Sequence, residues 1–236
     1  MLRFDHHFLA TIHFLMYNYN INRKEGYYMD KIMKLKQLLA SRNYIRTLPV
    51  YLCIKCSDQR RLVEMDIARW NQIEGVNMGF FKALNWHLTE SKQFRNLLQH
   101  RMRNPSRTPK AWMHFFVARM LWKPLDSLYL KTTEIGGGLY LQHGFSTIVS
   151  AKKIGENCRI YQQVTVGYKE TENPVLGDYV SVACGAKVLG GITMHNYSLA
   201  AAGSVVVKDV PENAIVGGVP AKIIGYKDPD NLTFQG

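Results

Sequence analysis

Cysteine is scarce. Cys53, Cys56, Cys158 and Cys184 are the only four in 236 residues, and their spacing offers no framework of the kind that staples small secreted domains. A reducing, cytoplasmic setting is expected. Cys53 and Cys56 form a CxxC, but no second pair completes a zinc site and no thioredoxin-like context surrounds it, so the two are read as packing residues. An uninterrupted apolar run is also missing. The opening MLRFDHHFLATIHFLMYNYN is broken by Asp5, His6, His7 and His13, and no small-residue cleavage site follows. Neither a membrane span nor a signal peptide is expected there. Met29 is a second plausible start, so residues 1–28 are treated as an extension. Acidic residues are few, 18 against 30 Lys and Arg, which leaves a formal charge of +12. That balance favours anionic partners, yet no nucleic-acid module or base-stacking motif accompanies it, and nucleic acid is not an expected partner.

What is present divides at about residue 127. Up to there the chain reads as α-helical. Ile32, Leu35, Leu38 and Leu39 share one helical stripe within Asp30–Ala40, with lysines opposite. TLPVYLCIKC is apolar and fits strand or helix. Ser57-Asp58 offers an N-cap to a helix carrying Leu62, Met65 and Ile67. Phe80, Phe81, Leu84 and Leu88 mark another helix, and Phe94, Leu97, Leu98 and Met102 mark one capped by Thr89 or Ser91. RMRNPSRTP is a connection, and Thr108-Pro109 opens a last helix. Its Trp112, Phe115, Phe116 and Met120 are expected to face a helix-bundle core.

From Ile135-Gly-Gly-Gly onward glycine rises and a beat of six begins: Ile135, Leu141, Ile148, Ile154, Ile160, Val166, Leu176, Val182, Val188, Met194, Ala200 and Val206. Strands alternate every two residues and helices every 3.6, so a sustained six points to a solenoid with three hexads per triangular coil. Small or β-branched residues follow four places after most beats: Cys158, Val164, Val180, Ala186, Ile192, Ser198 and Ser204. Gly155, Gly167, Gly177 and Ala183 fall directly after the beat, where a bulky side chain would crowd a corner. The beat fails twice. One extra residue sits beside His143, and four more form the polar loop YKETENP between Val166 and Leu176. Breaks in a regular scaffold are where loops leave it and commonly carry function. The helices at one end and PENAIVGGVPAKIIG at the other are the natural covers.

GGGLYLQHG, IGENCRIYQQVTVG, ACGAKVLGG, AAAGSVVVKDVP and GGVPAKIIG together resemble the hexapeptide-repeat acyltransferases. The histidine of GLYLQHG, followed by QQVTVG, a loop and GVPAKIIG, is similar to the serine O-acetyltransferase family over residues 130–227. The resemblance implies an α+β chain: a helical domain over 1–127, a left-handed parallel β-helix over 128–227 and a tail over 228–236. It further implies an acetyl-CoA-dependent O-acetyltransferase acting on a small-molecule hydroxyl, without a metal, assembled as a homotrimer or a dimer of trimers. His143 matches the family's general base, a role that suits an imidazole near neutrality. Acetyl-CoA would lie between neighbouring prisms against Gly167, Cys184, Gly185 and Ala202, with Lys222 near its nucleotide end. His195 and the remaining histidines are read as structural or surface residues.

Three positions depart from the family pattern. Gln142 stands where an Asp precedes the histidine. The acid that orients the histidine falls, counted without gaps, at Leu128, so Asp126, two residues away, becomes its expected partner, with Glu134 another nearby carboxylate. Glu172-Asn173 replaces an Arg-His pair, and a glutamate there would repel an amino-acid carboxylate. Gln142, Glu172 and Asn173 are therefore the expected acceptor-side residues. The altered loop favours a saccharide, such as a capsular precursor, over L-serine. A zinc carbonic anhydrase on the same prism would need about three histidines, and the prism holds His143 and His195. A non-catalytic scaffold or anion-binding protein is the remaining alternative.

Overall fold

A computed structural model of the chain describes residues 41, 43–103, 109–168 and 172–228. The expected helix over 30–40, the extension over 1–28, Thr108 and the tail after Asp228 lie outside the described residues. Among the described residues five helices come first: α1 (Tyr44–Lys55), α2 (Arg60–Glu74), α3 (Phe80–Glu90), α4 (Lys92–Arg103) and α5 (Pro109–Leu121). TLPVYLCIKC resolves as part of α1, where Thr47, Val50 and Ile54 are buried at helical spacing. The expected cap at Ser57-Asp58 does not form: α2 begins after Gln59 without a side-chain cap. Ser57 Oγ instead accepts from the amide of Gln59 at 3.1 Å, so its oxygen is spent within the preceding turn. In α4, Phe94, Leu97, Leu98 and Met102 are buried as their spacing predicts. Cys53 is half-buried and Cys56 exposed, so only the first of the pair packs.

The expected core stripe of α5 is corrected by the structure. Trp112, Phe116 and Met120 are 49%, 63% and 70% exposed, and Phe115 is half-buried. The helix buries His114 and Ala118 instead. Spacing identified residues that share a face, but α1 and α4 back the opposite one.

Beyond α5 the chain winds through three parallel sheets, five coils deep in the first of them. Each sheet carries one interior column. The first holds Leu130, Val149, Val166, Val188 and Val206. The second holds Ile135, Ile154, Leu176, Met194 and Val210, and the third Leu141, Ile160, Val182, Ala200 and Val216. Each fully buried Ile, Leu or Val stabilises by about 1.5–3 kcal/mol relative to exposure, so stacking of these columns holds the prism together. The residues four places after the beat are buried as well.

One beat residue was misplaced. Ile148 is 42% exposed, whereas Val149 is fully buried and aligns with Val166. The step after Leu141 is thus eight, followed by five to Ile154: His143 and Gly144 are both extra, and one residue is lost at the next corner. Two adjacent β-branched residues hid the shift.

Gly136, Gly155 and Gly177 stack at one corner. A Cβ on Gly155 would lie 2.5 Å from the Gly177 carbonyl carbon and 2.3 Å from Asp178 Oδ1, while one on Gly167 would meet nothing within 4 Å. Gly167 therefore does not share the crowding expected of it. Gly155→Ala is expected to lower unfolding free energy by about 1–3 kcal/mol, because backbone rather than a movable side chain is struck. Gly167→Ala should leave it unchanged, and urea titration of the two variants checks the contrast.

Residues from Asn43 onward form one compact unit, and a buried ion pair ties helices to coils. Arg101 Nε donates to Asp66 Oδ2 at 2.9 Å, and Arg101 Nη2 to Oδ1 at 3.1 Å. The same guanidinium reaches the carbonyls of Ile135 and Gly136, while Asp66 Oδ1 accepts the Gly138 amide at 2.8 Å. The far end closes with an antiparallel hairpin, Ala214–Gly218 with Ala221–Tyr226, added to the third sheet.

Candidate active site

The two extra residues after Gln142 force the chain out of the regular corner. The Gly144 amide donates back to the Gln142 carbonyl at 2.7 Å, closing a one-residue turn around His143, whose φ is +61°. Positive φ is unfavourable for a residue with a Cβ; it recurs at Asn157, Gln163, Tyr179 and Tyr197 in regular corners, so the one-residue turn, not φ, sets His143 apart. The turn rests on the helical part: a Cβ on Gly144 would lie 3.1 Å from Gln93 Cβ and 3.2 Å from a Leu128 methyl. His143 is exposed, and among the described residues its ring has no hydrogen bond or ion pair.

Below this turn runs a straight edge of the prism. Amide-to-carbonyl bonds Gln163→Phe145, Gly185→Gln162 and Gly203→Cys184, at 2.9–3.0 Å, stack the corner of each coil on the one above. Gln163, Gly185 and Gly203 all have positive φ there. Cys184, Gly185 and Ala202 thus fall in one row under His143. The hairpin continues the row, since Gly217 follows Ala201 and pairs with Lys222. Four steps of about 4.8 Å between five coils give the row a length of about 19 Å. Its surface is small and open: nothing lies within 4 Å of a Cβ placed on Gly203, and Ala202 and Lys222 are exposed. The amides of Gly144, Gly185 and Gly203 are all engaged by backbone carbonyls, so donors to a reacting oxygen must come from elsewhere.

The other expected site residues are not gathered onto this edge. Gly167 ends its strand at the far side of the first sheet. The Glu172 side chain folds over the next coil, with Oε2 against the α-carbon of Gly191. Among the described residues Asn173 Oδ1 is buried without a hydrogen-bond partner. Asp126 is exposed and pairs with Lys123 at 3.1 Å, Leu128 is buried behind Gly144, and Glu134 lies on the outer face of the second sheet. His195 is exposed at a corner.

Sequence reasoning missed Arg159. Its Nε donates to Gln142 Oε1 at 3.1 Å and its Nη2 donates to the same oxygen. The guanidinium carbon lies 5.4 Å from the Tyr140 ring and 4.9 Å from the Tyr161 ring. Tyr140 in turn packs on Trp70 at 4.6 Å, and its hydroxyl donates to Glu74 at 3.4 Å. Burial, then Glu74, pushes the Tyr140 phenol well above its usual range, so it remains a neutral donor. The available signal was the coil period: Arg159 is one coil below Tyr140. Burial likewise pushes the Cys158 thiol up to about 12, leaving it inert inside the prism.

Cavities flank the helix–prism seam. One of about 500 Å³ is lined by Gln59, Arg101, Glu134, Lys153, Glu156 and Asp178 among others. Another, of about 480 Å³, carries Arg103, Arg119 and Lys131 and no carboxylate among its described lining. Burial, followed by Arg101 and Arg103, holds His100 beside it down to about 4. Among the described residues no cluster of His, Cys, Asp or Glu could hold a metal ion, and no helix is long and apolar enough to cross a membrane.

No family model matches the chain. The serine acetyltransferase of Bacillus pumilus is 37% identical over 109 residues, 43% of this chain and 50% of that protein. That of Synechococcus elongatus is 38% identical over 96 residues, 39% of each. The chain is a relative of the serine acetyltransferases. It matches about half the length or less of these curated relatives. Among solved structures, Neisseria gonorrhoeae serine acetyltransferase in complex with serine aligns with a TM-score of 0.55 at 26% identity, covering 73% of each chain. Brucella abortus serine acetyltransferase in complex with coenzyme A aligns with a TM-score of 0.54 at 23% identity, over 82% of this chain and 83% of that one. The helices followed by a parallel β-helix are therefore the serine acetyltransferase fold.

Proposed function

We propose that the chain is an acetyl-CoA-dependent O-acetyltransferase with His143 as general base. The observation that carries this reading is the one-residue turn that presents His143 at the head of the open row Cys184, Gly185, Ala202 and Lys222. An extended thioester arm laid along that row would bring its reactive end to the imidazole. His143 takes the acceptor hydroxyl proton as the oxygen bonds to the thioester carbon, and returns it to the thiolate of coenzyme A when the tetrahedral intermediate collapses. Relatives that are serine acetyltransferases, one solved with coenzyme A, support the co-substrate.

Of the acceptor-side residues, Gln142 adjoins His143, whereas Glu172 and Asn173 lie on a different edge of the same prism. A homotrimer, or a dimer of trimers, would set one copy's His143 edge beside another's loop edge. Exposed Tyr129, Phe145 and Ile148 on and beside the intervening sheet support such a contact. Asp126 remains the proposed carboxylate partner of the base, drawn away from Lys123 on assembly.

For the acceptor, relatives favour L-serine, whereas Glu172 in the loop disfavours a carboxylate and favours a saccharide. Release of thiol from acetyl-CoA, followed across L-serine and a panel of sugars, tests both. Turnover of a sugar above serine is the expected result, and no release with any acceptor overturns the reading. A non-catalytic, anion-binding role is favoured only by the cavity bearing Arg103, Arg119 and Lys131.

A further inference from the structure

Gln142 directly precedes the proposed base, and the orientation of its amide is fixed. A guanidinium has donors and no acceptor, so the two bonds from Arg159 place the carbonyl oxygen, not the nitrogen, against it. Arg159 itself is held between the Tyr140 and Tyr161 rings, with only 6% of its surface exposed. Among the described residues no carboxylate pairs with it. The half-buried Gln142 therefore has one group left for a ligand, its Nε2 amide, which donates and cannot accept. A permanent positive charge stands directly behind that amide.

We propose that the Gln142–Arg159 pair sets the charge preference of the acceptor site: the site takes an acceptor whose group beside the reacting hydroxyl accepts a hydrogen bond and carries no positive charge. A neighbouring hydroxyl, a ring oxygen or an acylated nitrogen meets the condition, as found in a neutral saccharide. An α-ammonium does not, because it brings only donors and a like charge to a donor backed by arginine. Arg159 is a positioning residue here, acting through Gln142. The inference rests on the acetyl-transfer reading above and narrows its substrate class.

The test uses two acceptors that share a hydroxyl and differ at nitrogen, L-serinamide and N-acetyl-L-serinamide, so that no carboxylate meets Glu172. Thiol release by the full chain is expected to favour the acetylated compound at least about tenfold in kcat/KM, a step of the size that a mispaired polar group produces. Arg159→Met frees the amide to rotate and should shrink that ratio several-fold, through KM rather than kcat. Arg159→Lys retains a charge and a donor and should preserve the direction of the preference. Because each ratio is measured on one enzyme sample, loss of folded protein cancels. Preference of the unmodified chain for L-serinamide, or an unchanged ratio in Arg159→Met, overturns the proposal while leaving acetyl transfer intact. If no acceptor releases thiol, the acetyl-transfer reading fails, and the preference is then decided by binding of the two compounds in saturation-transfer NMR. Equal binding overturns it.

Discussion

His143→Ala is expected to lower acetyl transfer by about 10²–10⁴-fold, the range that positioned general bases contribute, with little change in unfolding free energy. Both halves follow from the turn. The imidazole is exposed and makes no contact that the fold depends on, so removing it opens no cavity. The backbone strain at φ +61° is not relieved by alanine, whose Cβ meets the same clash, so its cost stays in the folded state. His143→Gly would relieve it, and should be inactive and slightly more stable than His143→Ala. Thiol release from acetyl-CoA and thermal unfolding, measured on both variants, separate chemistry from scaffold. Full activity in either would remove His143 from the mechanism.

The second large effect lies where the helices meet the prism. Asp66→Ala is expected to cost about 3–5 kcal/mol, since it leaves a buried Arg101 without its counter-charge. It also strips the Gly138 amide of its acceptor. The exposed pair Arg60–Glu64, 2.7 Å long, should contribute less than about 1 kcal/mol when broken. A double change, Asp66→Leu with Arg101→Met, should cost well below the single substitution, because no charge is then stranded. Chemical denaturation of the three variants reads these differences as shifts in midpoint. A single Asp66 variant that unfolds like the parent would mean that Arg101 finds water on its own.

The architecture was legible because each interior column must be apolar in every coil, and a repeated demand leaves a repeated letter. The register at Ile148 and Val149 was not, since either residue satisfies that demand. The α5 stripe was misjudged for a related reason: periodicity defines a face without saying what lies opposite. His143 was conspicuous because an insertion interrupts a rhythm. Arg101 and Arg159 were silent, because their partners are 35 and 17 residues away and become neighbours only once coil length and helix docking are known. Asp126 was reached by counting along the chain, which cannot reveal that Lys123 already neutralises it within one copy.

Gly144 leans on Gln93 of α4, and this gives the helices a part in the chemistry that their distance from the row of small residues conceals. The prism stacks from its own repeats, but the protruding finger that carries the imidazole has a helical backstop. Tilting α4 by an ångström would move the proposed proton acceptor relative to a thioester anchored on the coils below, without breaking a single coil-to-coil hydrogen bond. The aim of the reaction would thus be adjusted from the seam, while the barrel of the instrument stays still.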